Sequence, residues 1–248
     1  RPPCAFKRPD GLGCLWMSHN APLAEALSGR EKIVVLAPHP DDETLGCGGL
    51  LARAFAGAGA HVICLTDGGA SHPGSRAWPP ARLAETRRAE LAKALDLLGG
   101  GAADLTWLGH PDSRLHEVPA DAILTELMQV IDTQAARHVY VPAREDKHCD
   151  HKTTASLADG LRAQRPDLHS HSYPVWSRFD DPNFAENTAG YAPLTLDTAA
   201  YRTAKSAAIR AHRSQLGQVV QDDPEGFVLP EAMIDLFAQQ DEIFWRMP

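Results

Sequence analysis

Two clusters of histidine and carboxylate side chains, each placed directly after a short apolar run, carry the chemistry that this chain offers. In the first, Ile33-Val34-Val35-Leu36-Ala37 breaks at Pro38-His39-Pro40-Asp41-Asp42-Glu43; in the second, His138-Val139-Tyr140-Val141-Pro142 leads into Asp146-Lys147-His148-Cys149-Asp150-His151. Imidazole and carboxylate in this mixture suit a hydrolytic zinc site, which takes three protein ligands and keeps one position for water. Two His and one Asp, in any order, meet that requirement. His39 and Asp42 lie three apart across a turn that opens a helix, so both side chains reach one locus, while Asp41 projects to another side. A carboxylate left free beside an activated water is what a general base requires. His148 and His151 are also three apart, so one can ligate while the other faces substrate.

Residues so far apart in sequence meet only if the fold brings strand ends together. From Lys32 onward the pattern alternates strand and helix. Strands are expected at 33–37, His61–Thr66, Leu105–Leu108, His138–Val141 and His171–Trp176. Helices are expected at Thr44–Ala56, Pro80–Leu98, Pro119–Ala136, Asp150–Arg162, Asp197–Gln215 and Pro230–Gln240. Such alternation predicts right-handed crossovers and an α/β fold, a Rossmann-like three-layer α/β/α sandwich with a mainly parallel sheet. In such a sheet the carboxyl ends of the strands line one crevice, which is where both clusters fall. Residues 1–32 read as an irregular lead-in with a short helical piece near Ala21–Leu27, and residues 33–248 as a single domain.

Composition narrows the function class. The 248 residues are 44% hydrophobic, enough for one large core, and the net charge of −8 argues against a general nucleic-acid binder. No apolar run approaches a membrane span and no signal-peptide core is evident, so the expectation is a soluble, cytoplasmic protein. Cys4, Cys14, Cys47, Cys64 and Cys149 are odd in number and scattered, as expected of reduced thiols. Gly46, Gly48 and Gly49, with Asp67 further on, mimic a dinucleotide fingerprint. They lie inside the helix, however, and the strand-to-helix turn itself is His39-Pro40-Asp41-Asp42, so close packing explains them better. A helix cap explains one carboxylate of the first cluster but neither His39 nor the recurrence of His and Asp.

Taken together, the two histidine motifs resemble those of the PIG-L/LmbE-like zinc-dependent N-acetylglucosaminyl deacetylases. The likeness rests on Pro38 to Gly49 and on His148-Cys149-Asp150-His151. Smaller matches occur at Thr66-Asp67-Gly68, Arg87 to Leu91, Leu108 to Asp112, Tyr173-Pro174-Val175-Trp176 and His212-Arg213-Ser214-Gln215. The resemblance implies that His39, Asp42 and His151 hold one Zn2+ and that Asp41 is the general base. It also implies that His148 stabilises an oxyanion or protonates the leaving amine, that Asp150 orients the His148 ring, and that Arg87 contacts substrate. The implied substrate is an N-acetyl sugar or glycoconjugate, released as acetate and a free amine. Cys149 departs from the family, which usually has proline there. Tyr173 and Trp176 are candidates to stack on a sugar, and His72, His110 and His212 are candidate pocket residues. Two other readings remain open on the residues alone: a metal-dependent amidohydrolase for a non-sugar N-acyl substrate, and a magnesium-dependent phosphatase. The latter would leave His39 and His151 unused.

Overall fold

The computed structural model describes residues 26–247, Ala24 and the backbone of Phe6–Lys7. In chain order the elements are β1 (Phe6–Lys7), β2 (Ile33–Ala37), α1 (Asp42–Phe55), β3 (Ala60–Thr66), α2 (Pro80–Leu97), β4 (Leu105–His110), α3 (Ala120–Gln134), β5 (His138–Pro142) and α4 (Cys149–Gln164). There follow β6 (His169–Tyr173), the short α5 (Trp176–Asp180) and α6 (Phe184–Asn187), β7 (Leu194–Leu196), α7 (Arg202–Ala211), α8 (Glu231–Gln239) and β8 (Glu242–Arg246). The strands form one sheet in the order β1-β7-β8-β6-β5-β2-β3-β4. The block from β6 to β4 is parallel throughout, and β8 runs antiparallel to both β6 and β7.

All five residues of β2 are buried, because the strand is covered on both faces. Ile33, Val35 and Ala37 point into a core layer shared with Leu45 and Leu50 of α1, Leu91 of α2, Ile209 of α7 and Phe237 of α8. Val34 and Leu36 point the other way, onto Leu127 and Ile131 of α3 and Leu157 and Leu161 of α4. This is the three-layer α/β arrangement expected from the alternation. The chain leaves β2 for β3 on one side and reaches β5 on the other, so the sheet order reverses beside β2. Both clusters hang from the carboxyl ends of these two adjacent strands.

The strand expected at His171–Trp176 spans His169–Tyr173, with Trp176 opening α5, and two further features differ from expectation. The end of the chain, read as closing on helices, instead adds the antiparallel strand β8, and β7 extends the sheet beyond it. The helix expected at Asp197–Gln215 begins only at Arg202 and breaks at His212, after which Arg213–Leu216 forms a 3-10 turn. The helical piece expected near Ala21–Leu27 falls largely outside the described residues, as do Cys4 and Cys14. Cys47 and Cys64 are buried and unpaired. No helix among the described residues is long and apolar enough to cross a membrane.

The glycines of α1 serve packing. A Cβ on Gly46 would come within 2.2 Å of the Tyr173 ring. That ring is fully buried, and its hydroxyl donates to the Leu36 carbonyl at 2.7 Å, so Tyr173 is a core residue and not a sugar platform. Behind α1, Glu242 accepts the backbone N–H groups of Gly49 (2.6 Å) and Leu50 (2.9 Å) and pairs with the fully buried Lys205 at 2.7 Å. Removing one partner of such a pair leaves an uncompensated buried charge. Lys205→Met is therefore expected to destabilise the fold by about 3–5 kcal/mol in urea unfolding, with metal stoichiometry unchanged. A loss under about 1 kcal/mol would show that Glu242 is satisfied by the backbone alone.

Candidate metal centre and active site

His39 stands just past the end of β2, and Asp42 opens α1. The Asp42 Oδ2 atom accepts the His39 backbone N–H at 2.9 Å and lies 3.1 Å from His39 Nδ1 and 3.1 Å from His151 Nε2. His151 is delivered by the first turn of α4. Ligand atoms of His39, Asp42 and His151 all lie within 4.8 Å of one another. The proton positions on the two rings follow from their other contacts. His151 Nδ1 faces Asp146 Oδ2 at 2.9 Å, and His39 Nε2 faces Asp150 Oδ2 at 3.1 Å and Asp112 Oδ1 at 3.3 Å. With the outer nitrogens donating to these carboxylates, His39 Nδ1 and His151 Nε2 are the two atoms that converge on Asp42, where a proton or a cation can lie between each of them and the carboxylate. His151 Nε2 is also buried without a hydrogen bond: it is near the Asp42 oxygen in distance but not in hydrogen-bond alignment. A buried ring nitrogen without a hydrogen bond, beside a second ring nitrogen and a carboxylate, fits a divalent metal.

The electrostatics point the same way. Burial alone would lower the pKa of His39, but hydrogen bonds to Asp112, Asp150 and Asp42 outweigh it and hold the ring well above its ordinary value. Burial likewise opposes, and Asp42 and Asp146 overcome it, to raise His151 to about 9. Burial would raise Asp42, yet His151 and His39 keep it well below the usual carboxylate range. The locus thus favours positive charge, which protons or a divalent ion can supply.

Asp146 is the partner that sequence reasoning left without a role. It is fully buried and accepts the backbone N–H groups of Val175 (3.2 Å) and Ser177 (2.8 Å) and the Ser177 hydroxyl (2.6 Å), which fix it against His151. Carboxylates of this kind orient a ligating imidazole and raise its basicity. Asp146→Ala is expected to weaken zinc binding by about 10–100-fold, read by competition with a chelating dye. Unchanged affinity would mean that His151 needs no carboxylate partner.

Asp41 is positioned apart from the ligand atoms. Its Oδ2 pairs with Arg87 at 3.1 Å, its backbone N–H donates to Glu43 Oε2 at 3.0 Å, and its backbone adopts the sparsely populated pair φ 159°, ψ −26°. Burial raises its pKa to about 6, with Arg87 opposing. Arg87 lines the cavity, as expected of a substrate contact, but its terminal nitrogens are engaged: they donate to Gly68 O, Pro40 O and Asp41. It positions Asp41. His212 sits behind, with Nε2 3.2 Å from Glu43 Oε1.

The expected relation between His148 and Asp150 is corrected. The Asp150 carboxylate does not reach the His148 ring; it holds His39 and accepts the backbone N–H groups of Ser113 (2.7 Å) and Leu115 (3.1 Å). The Asp150 backbone N–H is what donates to His148 Nδ1, at 3.2 Å. That contact makes Nδ1 the acceptor and leaves the proton on Nε2. Burial, reinforced by His39 and His151, lowers the His148 pKa to about 4, so the ring is neutral. Cys149 is exposed, with Sγ 3.5 Å from Ser113 O.

These groups open onto a cavity of about 340 Å3, of a size that suits a small ligand. His39, Asp41, Asp42, Arg87 and His148 line it, as does Trp176. Asp112 and Gln215, quoted earlier only as parts of small matches, line it too. Glu225 and Phe227 come from a segment with no recognisable signal. The Gln215 side-chain oxygen Oε1 has no partner, and its side-chain amide donates to the hydroxyl of Ser214, whose own proton is engaged by Glu90. His110 turns away to Glu126 at 2.8 Å, and His72 packs against Gly226 without lining the cavity.

The family model described as PIG-L, GlcNAc-PI de-N-acetylase, matches residues 34–161. A 1D-myo-inositol 2-acetamido-2-deoxy-alpha-D-glucopyranoside deacetylase from Kineococcus radiotolerans is 39% identical over 93 residues, 36% of this chain and 25% of that protein. The match therefore spans about a quarter of the curated relative's length. Among solved structures, N,N'-diacetylchitobiose deacetylase from Pyrococcus horikoshii superposes with a TM-score of 0.68 at 22% identity, covering 98% of this chain and 95% of that one. A conserved protein from Thermus thermophilus gives 0.56 at 30% identity, over 75% and 80%.

Proposed function

This chain belongs to the PIG-L family, and from that premise we propose that it removes the acetyl group from an N-acetylated amino sugar or glycoconjugate, with one zinc ion held by His39, Asp42 and His151. The observation that carries the reading is the convergence of two imidazole nitrogens on Asp42, with Asp41 held beside them by Arg87. Two of the named relatives, deacetylases of acetamido-sugar compounds, support the substrate class. Residues 33–248 act as one catalytic domain in this reading, since strands β2 to β8 share one sheet.

When bound, the ion supplies Lewis acidity toward an acyl carbonyl and eases the deprotonation of water. Asp41 takes the proton of the attacking water; a carboxyl with a pKa near 6 both accepts and returns a proton near neutral pH. Arg87 fixes the direction in which Asp41 presents its free oxygen. His148, neutral and protonated at Nε2, donates that hydrogen to the developing oxyanion. A neutral imidazole is a poor acid, so the proton that the leaving amine needs returns from Asp41.

Zinc-loaded protein incubated with N-acetylglucosamine and its glycosides is expected to release acetate and free amine in equal amounts. Release of inorganic phosphate from phosphate esters, without acetate from any N-acetyl compound, would replace the reading with a phosphatase. His148→Ala is expected to keep its zinc and lose about 10²–10³-fold in turnover, the usual effect of removing one oxyanion donor. Full turnover in that variant would place His148 outside the chemistry.

A further inference from the structure

The cavity lining is of two kinds: the polar constellation around His39, and an apolar wall of Val175, Trp176, Phe227, Leu229 and Met233. Trp176 and Phe227 are both only partly buried and meet edge to face, with centroids 5.7 Å apart and planes at 64°. The wall is fixed by hydrogen bonds from the segments that carry it. Phe227 N–H donates to Ser71 O and Leu229 N–H to Gln215 O, both at 2.8 Å. Asp222 accepts the backbone N–H groups of Arg76 and Ala77 at 2.9 Å, and Asp223 that of Gly74 at 2.9 Å.

The charges around that wall are negative. Glu225, which is exposed, and Asp112 line the same cavity. Arg87 is the only lysine or arginine among the described residues lining it; it is 3% exposed and engaged by Asp41, Gly68 and Pro40. Lys147 has its Nζ 4.9 Å from the centre of the Trp176 ring, but it does not line the cavity and pairs with Asp180. A phosphate ester placed along the wall would therefore meet carboxylates and apolar carbon without a free cation, a like-charge juxtaposition that disfavours binding. An uncharged apolar group would bury carbon against fixed aromatic rings.

Building on the deacetylase reading, we propose that the Trp176–Phe227 wall selects N-acetyl sugars carrying an uncharged, apolar aglycone, and that phosphorylated N-acetyl sugars are excluded. The probes are N-acetylglucosamine, its phenyl β-glycoside and N-acetylglucosamine 1-phosphate, compared by kcat/KM on the zinc-loaded wild type. Burying the phenyl ring should raise kcat/KM by about 10–100-fold over the free sugar, which corresponds to burial of one large apolar group. The 1-phosphate should fall below the free sugar. Trp176→Ala and Phe227→Ala, made separately and checked for an unchanged unfolding midpoint, should each reduce the ratio of kcat/KM for the phenyl glycoside to that for the free sugar, the quantity that reports contact with the aglycone.

Equal kcat/KM for free sugar and phenyl glycoside, or a preference for the phosphate, would overturn the proposal. If no acetate is released from any probe, nothing is turned over and the same three ratios are read as dissociation constants by calorimetry. A phenyl advantage there keeps the wall's selectivity and removes the deacetylase reading. Its absence, or binding of none of the three, removes the selectivity as well.

Discussion

Replacing Asp41 by asparagine is expected to leave zinc binding intact while lowering acetate release by about 10²–10⁴-fold, the usual worth of a positioned general base. The two halves of that expectation come from different contacts. Metal binding survives because the converging atoms belong to His39, Asp42 and His151, while Asp41 faces Arg87 instead. Turnover falls because an amide oxygen still accepts from Arg87 but takes no proton. The asparagine is nearly isosteric, so the Arg87 contact and the turn held by Glu43 are retained. Elemental analysis and a stopped acetate assay on the same preparation check both halves. Loss of zinc in step with activity would show that Asp41 and Asp42 have exchanged roles.

His151→Ala is expected to give the opposite signature, a protein that holds no stoichiometric metal after dialysis and has no measurable turnover. The variant removes one of the three proposed ligands. It also leaves Asp146 without its imidazole, although the N–H groups of Val175 and Ser177 and the Ser177 hydroxyl continue to satisfy that carboxylate. The fold should therefore survive, and a near-native circular dichroism spectrum would confirm that metal loss is not unfolding. Retention of one zinc per chain would move the metal to another set of ligands. His39, Asp112 and His148 are the next group whose atoms approach closely enough.

Much of the scaffold was legible because its signals are local. The apolar run 33–37 and the alternation that follows reflect strands covered on both faces, and the two His/Asp clusters follow two such runs directly. What escaped was set by tertiary partners. Glu242 lies two residues beyond the helix expected at Pro230–Gln240; it opens β8 and is fully buried, where Lys205 and two α1 amides meet it. Asp146 sits in an unremarkable turn, and only the fold brings Val175 and Ser177 to its oxygens. The resemblance implies that Asp150 orients the His148 ring, whereas the helix start directs its carboxylate across the crevice to His39. Tyr173 carried an aromatic signal that burial reassigns to the core.

The Asp150 carboxylate joins two regions that otherwise have separate tasks. One oxygen accepts from Ser113 N–H and faces His39 Nε2, and the other accepts from Leu115 N–H. Ser113 and its neighbour Asp112 line the substrate cavity. Ordering of the 112–115 segment and orientation of a metal-ligating ring are thus parts of one hydrogen-bonded unit. Linkage then requires reciprocity: whatever bound metal does to the affinity for a ligand touching Ser113, that ligand does to the affinity for metal, by the same factor. Asp150 is thus the element through which the proposed ion at His39 and a ligand at Ser113 would influence each other.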